Sequence, residues 1–250
     1  MNGEFTAAEI AVIFAVYLGA ATGKGITGLG FSTTCLPFLA LTVGIEDALG
    51  LIIIPSVSAN IIVQVSVGHF GVTLRRFWPM LLATLPGLVL GLAVLDAVDA
   101  DIAAGALGGV LLLYCAFAFV RRDVRLRPTL ERPLAPVSGF LTGLVNGATG
   151  SQVMPSMPYL LSLDLPRNVF LQAINCSFTM SSIVMMIGLS RLGLVGGATI
   201  VISVVGAVFA FVGLRIGEAI RDRLSEDTFR TAVLAMLTLL AISLIVRAGN

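Results

Sequence analysis

Charge is what this sequence has least of. Only 12% of its 250 residues are Asp, Glu, Lys or Arg, against roughly 25% in soluble domains. Lysine occurs once, at Lys24, histidine once, at His69, and tryptophan once, at Trp78. The carboxylates avoid the middles of the apolar runs: Glu9, Glu46, Asp47, Asp96 and Asp164 lie near run ends or in loops. No dedicated carboxylate proton carrier is therefore expected within the spans. An intramembrane enzyme would need a nucleophile with its base, or a metal-ligand set, and neither is visible, so no enzyme, cofactor or metal site is expected. Cys35, Cys115 and Cys176 lie in apolar stretches without metal-ligand spacing and read as small buried hydrophobes. No basic cluster is interleaved with aromatics, so nucleic acid is not an expected partner. The start, "MNGEFTAAE", has no basic segment and does not read as a cleavable signal peptide.

What is present is apolar sequence in long blocks. With 57% hydrophobic residues and a mean hydropathy of +1.02, runs of about 20 residues predict an all-α polytopic membrane protein. Continuous runs exclude the alternating segments of a β-barrel. Candidate spans cover 6–22, 28–43, 46–67, 76–95, 101–120, 134–146, 150–163, 168–189, 194–213 and 228–246. Two stretches break the pattern, "TGKGITG" at 22–28 and "NGATGSQ" at 146–152. The region 134–163 would be about 45 Å long as unbroken helix, too short for two passes and too long for one. Two half-helices meeting at mid-membrane, a re-entrant hairpin, are expected there. A similar hairpin with a longer outer arm is expected over 6–43.

The arginines discriminate between hairpins and kinked passes. Hairpins gather Arg75, Arg76, Arg121, Arg122, Arg125, Arg127, Arg132, Arg167, Arg215, Arg221, Arg223 and Arg230 on one side, leaving Arg191 and Arg247 on the other. Twelve against two is a positive-inside split, whereas single kinked passes would give nine against five. The predicted topology is six full crossings in the inner membrane with both termini outside. His69 and Trp78 then sit at the cytoplasmic interface, the histidine solvated and the tryptophan an anchor. "PGLVLGL" and "GALGG" supply small residues for tight helix packing.

The halves also resemble each other. Gly25, Thr27 and Gly28 match Gly147, Thr149 and Gly150 at an offset of 122, and after a one-residue slip Pro37-Phe38-Leu39 meets Pro158-Tyr159-Leu160 and Ser56 meets Ser177. The division is a first repeat over 1–122, a basic cytoplasmic linker over 123–133 and a second repeat over 134–250. Each repeat is one hairpin plus three crossings, so the second is inverted relative to the first, the build of secondary transporters.

Irregular chain at membrane depth needs a polar cavity or burial in protein. Helix restarting after each break offers free N–H groups and the positive end of a dipole, the elements of an anion site. The expected site comprises Lys24 with the amides of Gly25 to Gly28, including Thr27, and a second nest of Thr149, Gly150, Ser151 and Gln152. Ser56, Asn60 and Gln64 form one polar stripe at helical spacing, and Gln172, Asn175, Thr179 and Ser182 another. Such stripes line cavities or zip helices together; Asn60 and Asn175, nearest the centre, are the expected site members.

With these motifs in place, the chain resembles the TauE/SafE family of sulfite-exporter-type permeases. The resemblance rests on "GITGLGFSTTCLP" and "GATGSQVMPSMP", and on "LPGLVLGLAVLDAV" and "VGLRIGEAIRDRLSEDTFRTAVLAMLTLLAISLI". It departs from the family's consecutive glycines after the break, having Thr27-Gly28-Leu29-Gly30 and Thr149-Gly150-Ser151-Gln152 instead. The resemblance implies transport of sulfite, a sulfonate or a related small sulfur-containing anion by alternating access. An anion channel using the same cationic centre is the alternative. Coupling to protons through the substrate and facilitated movement down a gradient both fit. The partners implied are a small anionic substrate and the lipid bilayer, with a homo-oligomer left open.

Overall fold

The structure is a computed structural model that describes residues 5–120, 125–220 and 226–249, the side chains of 226–230 and 232 excepted. Arg121, Arg122, Arg221 and Arg223, the side chain of Arg230 and the boundary at residue 122 lie outside these residues. The described residues form ten helices and no strand: α1 (Ala7–Thr27), α2 (Phe31–Val43), α3 (Ile45–Val67), α4 (Phe70–Ala97), α5 (Ala100–Val120), α6 (Pro128–Thr149), α7 (Ser156–Leu161), α8 (Arg167–Arg191), α9 (Gly197–Ile220) and α10 (Glu226–Ala248). Large apolar side chains such as Val89, Leu113, Val201 and Leu239 face outward. On an all-helical chain of this hydropathy, such a surface is solvated by lipid tails, and the protein is a multi-pass membrane protein.

Among the described residues six helices are long and apolar enough to cross a membrane: α1, α3, α4, α5, α8 and α9. The number equals the six crossings expected, but the members differ. α1, expected as the longer outer arm of a hairpin, runs 21 residues and is itself long enough to cross. The described apolar part of α10 is shorter. α4 begins at Phe70 and carries Arg75 and Arg76 on its first turns, because a helix does not stop where the hydrocarbon does. Arg76 there forms a bidentate ion pair with Glu131 of α6, at 2.7 and 3.0 Å.

The second broken region does return to where it started. Leu126 N–H donates to Ser162 O at 2.8 Å, Arg125 lies 3.5 Å from Asp164, and the Tyr159 hydroxyl donates to Glu131 O at 2.9 Å. The end of the hairpin is thereby stitched to its beginning. Its arms are unequal, however, and not the two half-helices expected. α6 has 22 residues, starting with Pro128 where a missing N–H costs nothing, whereas α7 has only six. α7 lies between Pro155, which caps its start, and Pro166, which caps the start of α8.

α3 and α8 cross at the centre, and the broken helices pack beside them: α1 on α9, α6 on α4, with α5 on α10 at one side. Small residues set the crossings. A Cβ on Gly25 would strike Leu214 O and lie 2.8 Å from Gly217 Cα, and a Cβ on Gly91 would strike Leu144 O and lie 2.8 Å from Gly147 Cα. Backbone therefore touches backbone where α1 meets α9 and where α4 meets α6. Gly108 of "GALGG" packs in the same way against Ala241 O of α10. Pro55, inside α3, cannot donate to Leu51 O. That orphaned carbonyl accepts from the Tyr17 hydroxyl at 2.7 Å and the Ser203 hydroxyl at 3.0 Å, tying α1 and α9 to α3.

Candidate functional site

The site is built on the last turn of α1. Lys24 is 1% exposed, the sole lysine sealed inside the protein. Its Nζ donates to Oδ1 of Asn60 on α3 and, at 2.7 Å, to Oδ1 of Asn175 on α8. Amide oxygens only accept, so an ammonium group suits both. The carbonyl end of α1 adds partial negative charge around it. The Asn175 Nδ2 group donates in turn to Leu171 O at 2.8 Å and to Gly28 O at 3.3 Å, latching the tip of α1 to α8. Among the described residues no carboxylate pairs with Lys24. Lys24 is thus buried with two neutral acceptors as its side-chain partners.

Toward the end of α3 along its seam with α8, the two polar stripes meet. Gln64 Nε2 donates to Thr179 Oγ1 at 2.6 Å and to the carbonyls of Asn60 and Asn175 at 3.3 Å. The Cys176 thiol donates to Gln64 Oε1 at 3.0 Å. The three cysteines are buried as the sequence suggested, but Cys176 also belongs to this network. Asn60 and Asn175 bond Lys24, while Gln64 and Thr179 join α3 to α8 as the zipping reading has it.

The amide nests are not where they were expected. Gly25 and Thr27 belong to the last turn of α1, and Gly28 N–H is taken by Lys24 O at 2.6 Å. Gly150 N–H is likewise taken by Asn146 O at 2.7 Å, and Ser151 N–H reaches Thr149 Oγ1 at 3.3 Å. Gly28 and Gly150 both have left-handed backbone, φ +83° and +76°, which closes a helix at its carbonyl end. The hydroxyls of Thr27 and Thr149 bond Gly23 O and Val145 O at 3.1 and 2.8 Å. Both breaks therefore present helix C-termini first. Free N–H groups come three residues later, at the start of α2, where Gly30 precedes the helix with no side-chain cap.

Two cavities adjoin the breaks. A cleft of about 440 Å³ is lined by Thr27, Gly30, Thr33 and Thr34 of the first break, by Ser162, and by exposed Arg167 at the start of α8. Gly23, Thr27, Leu171 and Phe178 in its wall flank Lys24 and Asn175 in sequence, so the ammonium cluster stands behind that wall. At the second break the space is only about 10 Å³, between Asn146, Gly150, Gln152, Ser182, Ser32 and Ser56. Gln152 Nε2 donates to Ser182 Oγ at 3.0 Å, and the Ser32 and Ser56 hydroxyls share a bond of 2.7 Å.

The structure thus brings Lys24, Asn60, Asn175 and Gly28 together and gathers Gly150 and Gln152 with Asn146 in a separate place, with Thr149 and Ser151 alongside in the chain. Seven residues of α8 divide Asn175 from Ser182, about 10 Å of helix, so the breaks do not converge on one point. Gln64, Asn146, Arg167 and Ser182 were not named as site residues. The offset of 122 that aligns the glycines also sets Asn146 opposite Lys24, and that signal could have found it.

The family model described as "Sulfite exporter TauE/SafE" matches residues 13–244. No curated protein and no solved structure matches the chain.

Proposed function

Since this chain belongs to the TauE/SafE sulfite exporter family, we propose that it is a secondary transporter moving a small sulfur-containing anion, such as sulfite or a sulfonate, across the inner membrane by alternating access. The observation that carries this reading is Lys24: a buried lysine, bonded to two neutral amides and, among the described residues, to no carboxylate, next to Gly23 in the wall of a 440 Å³ cleft. An anion entering that cleft meets Arg167 at the mouth and, at the bottom, the free N–H groups of α2 with the hydroxyls of Thr33 and Thr34. Opening the wall at Gly23 and Thr27 then brings the anion to Lys24, Asn60 and Asn175.

The halves act as inverted repeats in this reading. Three likenesses support it. Gly28 and Gly150 cap α1 and α6 with the same bond to the residue four before. A Cβ on Gly28 would meet Leu171 in the second half, and one on Gly150 would meet Leu49 in the first. α1 lies on α9 as α6 lies on α4. Rocking one set against the other exchanges a wide cleft at one break for a wide cleft at the other. With the arginine-rich side cytoplasmic and both termini outside, the 440 Å³ cleft faces the cytoplasm. The pinched second cavity favours a carrier over a channel, which needs a continuous pore.

The test is anion flux in proteoliposomes. Sulfite or a sulfonate should move with saturable kinetics and exchange against substrate on the other side. Large single-channel currents, or no flux of any sulfur oxyanion, would remove the reading.

A further inference from the structure

The two breaks end in the same way but hold different side chains. At the tip of α1, the negative end of a helix dipole and two amide oxygens surround the ammonium of Lys24. At the tip of α6, the residue in the corresponding place is Asn146, 1% exposed, with no hydrogen-bond partner for either Oδ1 or Nδ2. Gln152, 7% exposed, directs its Nε2 to Ser182 and leaves its Oε1 unpartnered. Both residues line the space of about 10 Å³, together with Ser32, Ser56 and Ser182.

A buried acceptor without a donor is costly, and one at the carbonyl end of a helix asks for positive charge. Five polar side chains share the lining with Leu49, Ile52, Ile53 and Met185 and none is charged, and the volume suits one small particle, about a single water in size. Neutral amide, hydroxyl and carbonyl oxygens are the donor set of hard monovalent cations, and half-helix C-termini in transporters serve that purpose. An anion would find one unpartnered amide N–H group, Asn146 Nδ2, but no backbone amides to join it: those lie beyond Gly150, and α7 is too short to have a dipole of consequence.

We propose that this second tip binds a small monovalent cation of the sodium class, coupled to anion movement, and that Lys24 is the covalently attached counterpart of that cation in the first half. Asn146 Oδ1 and Gln152 Oε1 are the principal ligands, with the Ser56 and Ser182 hydroxyls and the terminal carbonyls of α6 beside them. The absence of a central carboxylate is then no obstacle to energy coupling, because a cation gradient can drive the cycle. The inference rests on the transport reading above, and binding is measured apart from flux so that the two can fail separately.

Thermal unfolding of the purified full-length protein is followed in sodium chloride against choline chloride at equal ionic strength. The wild type should show a saturable sodium-dependent rise in Tm. Asn146→Lys, which supplies the ammonium covalently, should abolish that rise. Should that variant not fold, Gln152→Glu decides: a charged ligand in place of a neutral one should lower the half-saturating sodium concentration about tenfold. Identical unfolding in both salts, or an unchanged sodium response in the variants, overturns the site. Sulfite flux is recorded in parallel. Saturable flux indifferent to sodium overturns the coupling and leaves the carrier standing, while sodium binding in a protein that moves no anion overturns the carrier.

Discussion

The first break and the second end in the same cap and continue differently. After Gly28 the chain needs only Leu29 and Gly30 before α2 begins, and α2 runs 13 residues. After Gly150 it passes through Ser151 to Pro155 before a helix of six residues. Lys24 stands at one tip and Asn146 at the other. One tip borders a cleft of about 440 Å³ and the other a space of about 10 Å³. The common part of the two breaks is mechanical, a helix stopped by a left-handed glycine and clamped to a neighbour. The differing part is chemical: one half carries a lysine, and the other has neutral amides and hydroxyls.

The sharpest way to break this comparison is to make the tips alike. Lys24→Met keeps the length of the side chain and removes the charge, leaving two buried amide oxygens unpaired. Sulfite flux should fall at least about a hundredfold, the effect of some 3 kcal/mol. A variant keeping half of wild-type flux would mean that the charge is ornamental. The glycine crossings test the mechanical part. Gly217→Val and Gly91→Val should each lower stability by about 2–3 kcal/mol in chemical unfolding, and by similar amounts, because both drive a side chain into facing backbone. Unequal losses would show that the crossings are not equivalent.

Smaller effects separate the ligands of Lys24. Asn175→Leu should cost about tenfold in flux and Asn60→Leu somewhat less, since Asn175 also ties down Gly28 O. Equal losses would reduce Asn175 to a plain acceptor. The smallest difference expected is at the caps. Thr27→Val and Thr149→Val each remove a hydroxyl bonded to its own helix and to the amide two residues on, costing about 0.5–1 kcal/mol of stability with little change in substrate affinity. A large rise in KM for Thr27→Val alone would move that hydroxyl into contact with substrate, a role its place in the cleft wall permits.

Much of this was legible in the sequence for physical reasons. Lys24 stood out because a cation is expensive in hydrocarbon, and Asn60 and Asn175 because helical spacing put them on the central seam. "PGLVLGL" announced its packing through residue size alone. Two matters were not legible. Composition marks a break but not which end of a helix faces it, and Gly28 and Gly150 could have opened helices as well as closed them. Only the bond from Gly28 N–H to Lys24 O decides. The asparagine at 146 was passed over because the expected nest began after the break, at Thr149, and only an amide without a partner sets Asn146 apart.

The crossing of Gly25 with Gly217 has a bearing on how the protein is made. α1 leaves the ribosome before α9, and Gly217 follows Gly25 by 192 residues. Until α9 is inserted, the glycine face of α1 has nothing to pack on, although Tyr17 and Lys24 already have partners on α3. A message truncated before residue 197 would yield a product in which Lys24 keeps Asn60 and Asn175 while the close-packing face of α1 stays uncovered.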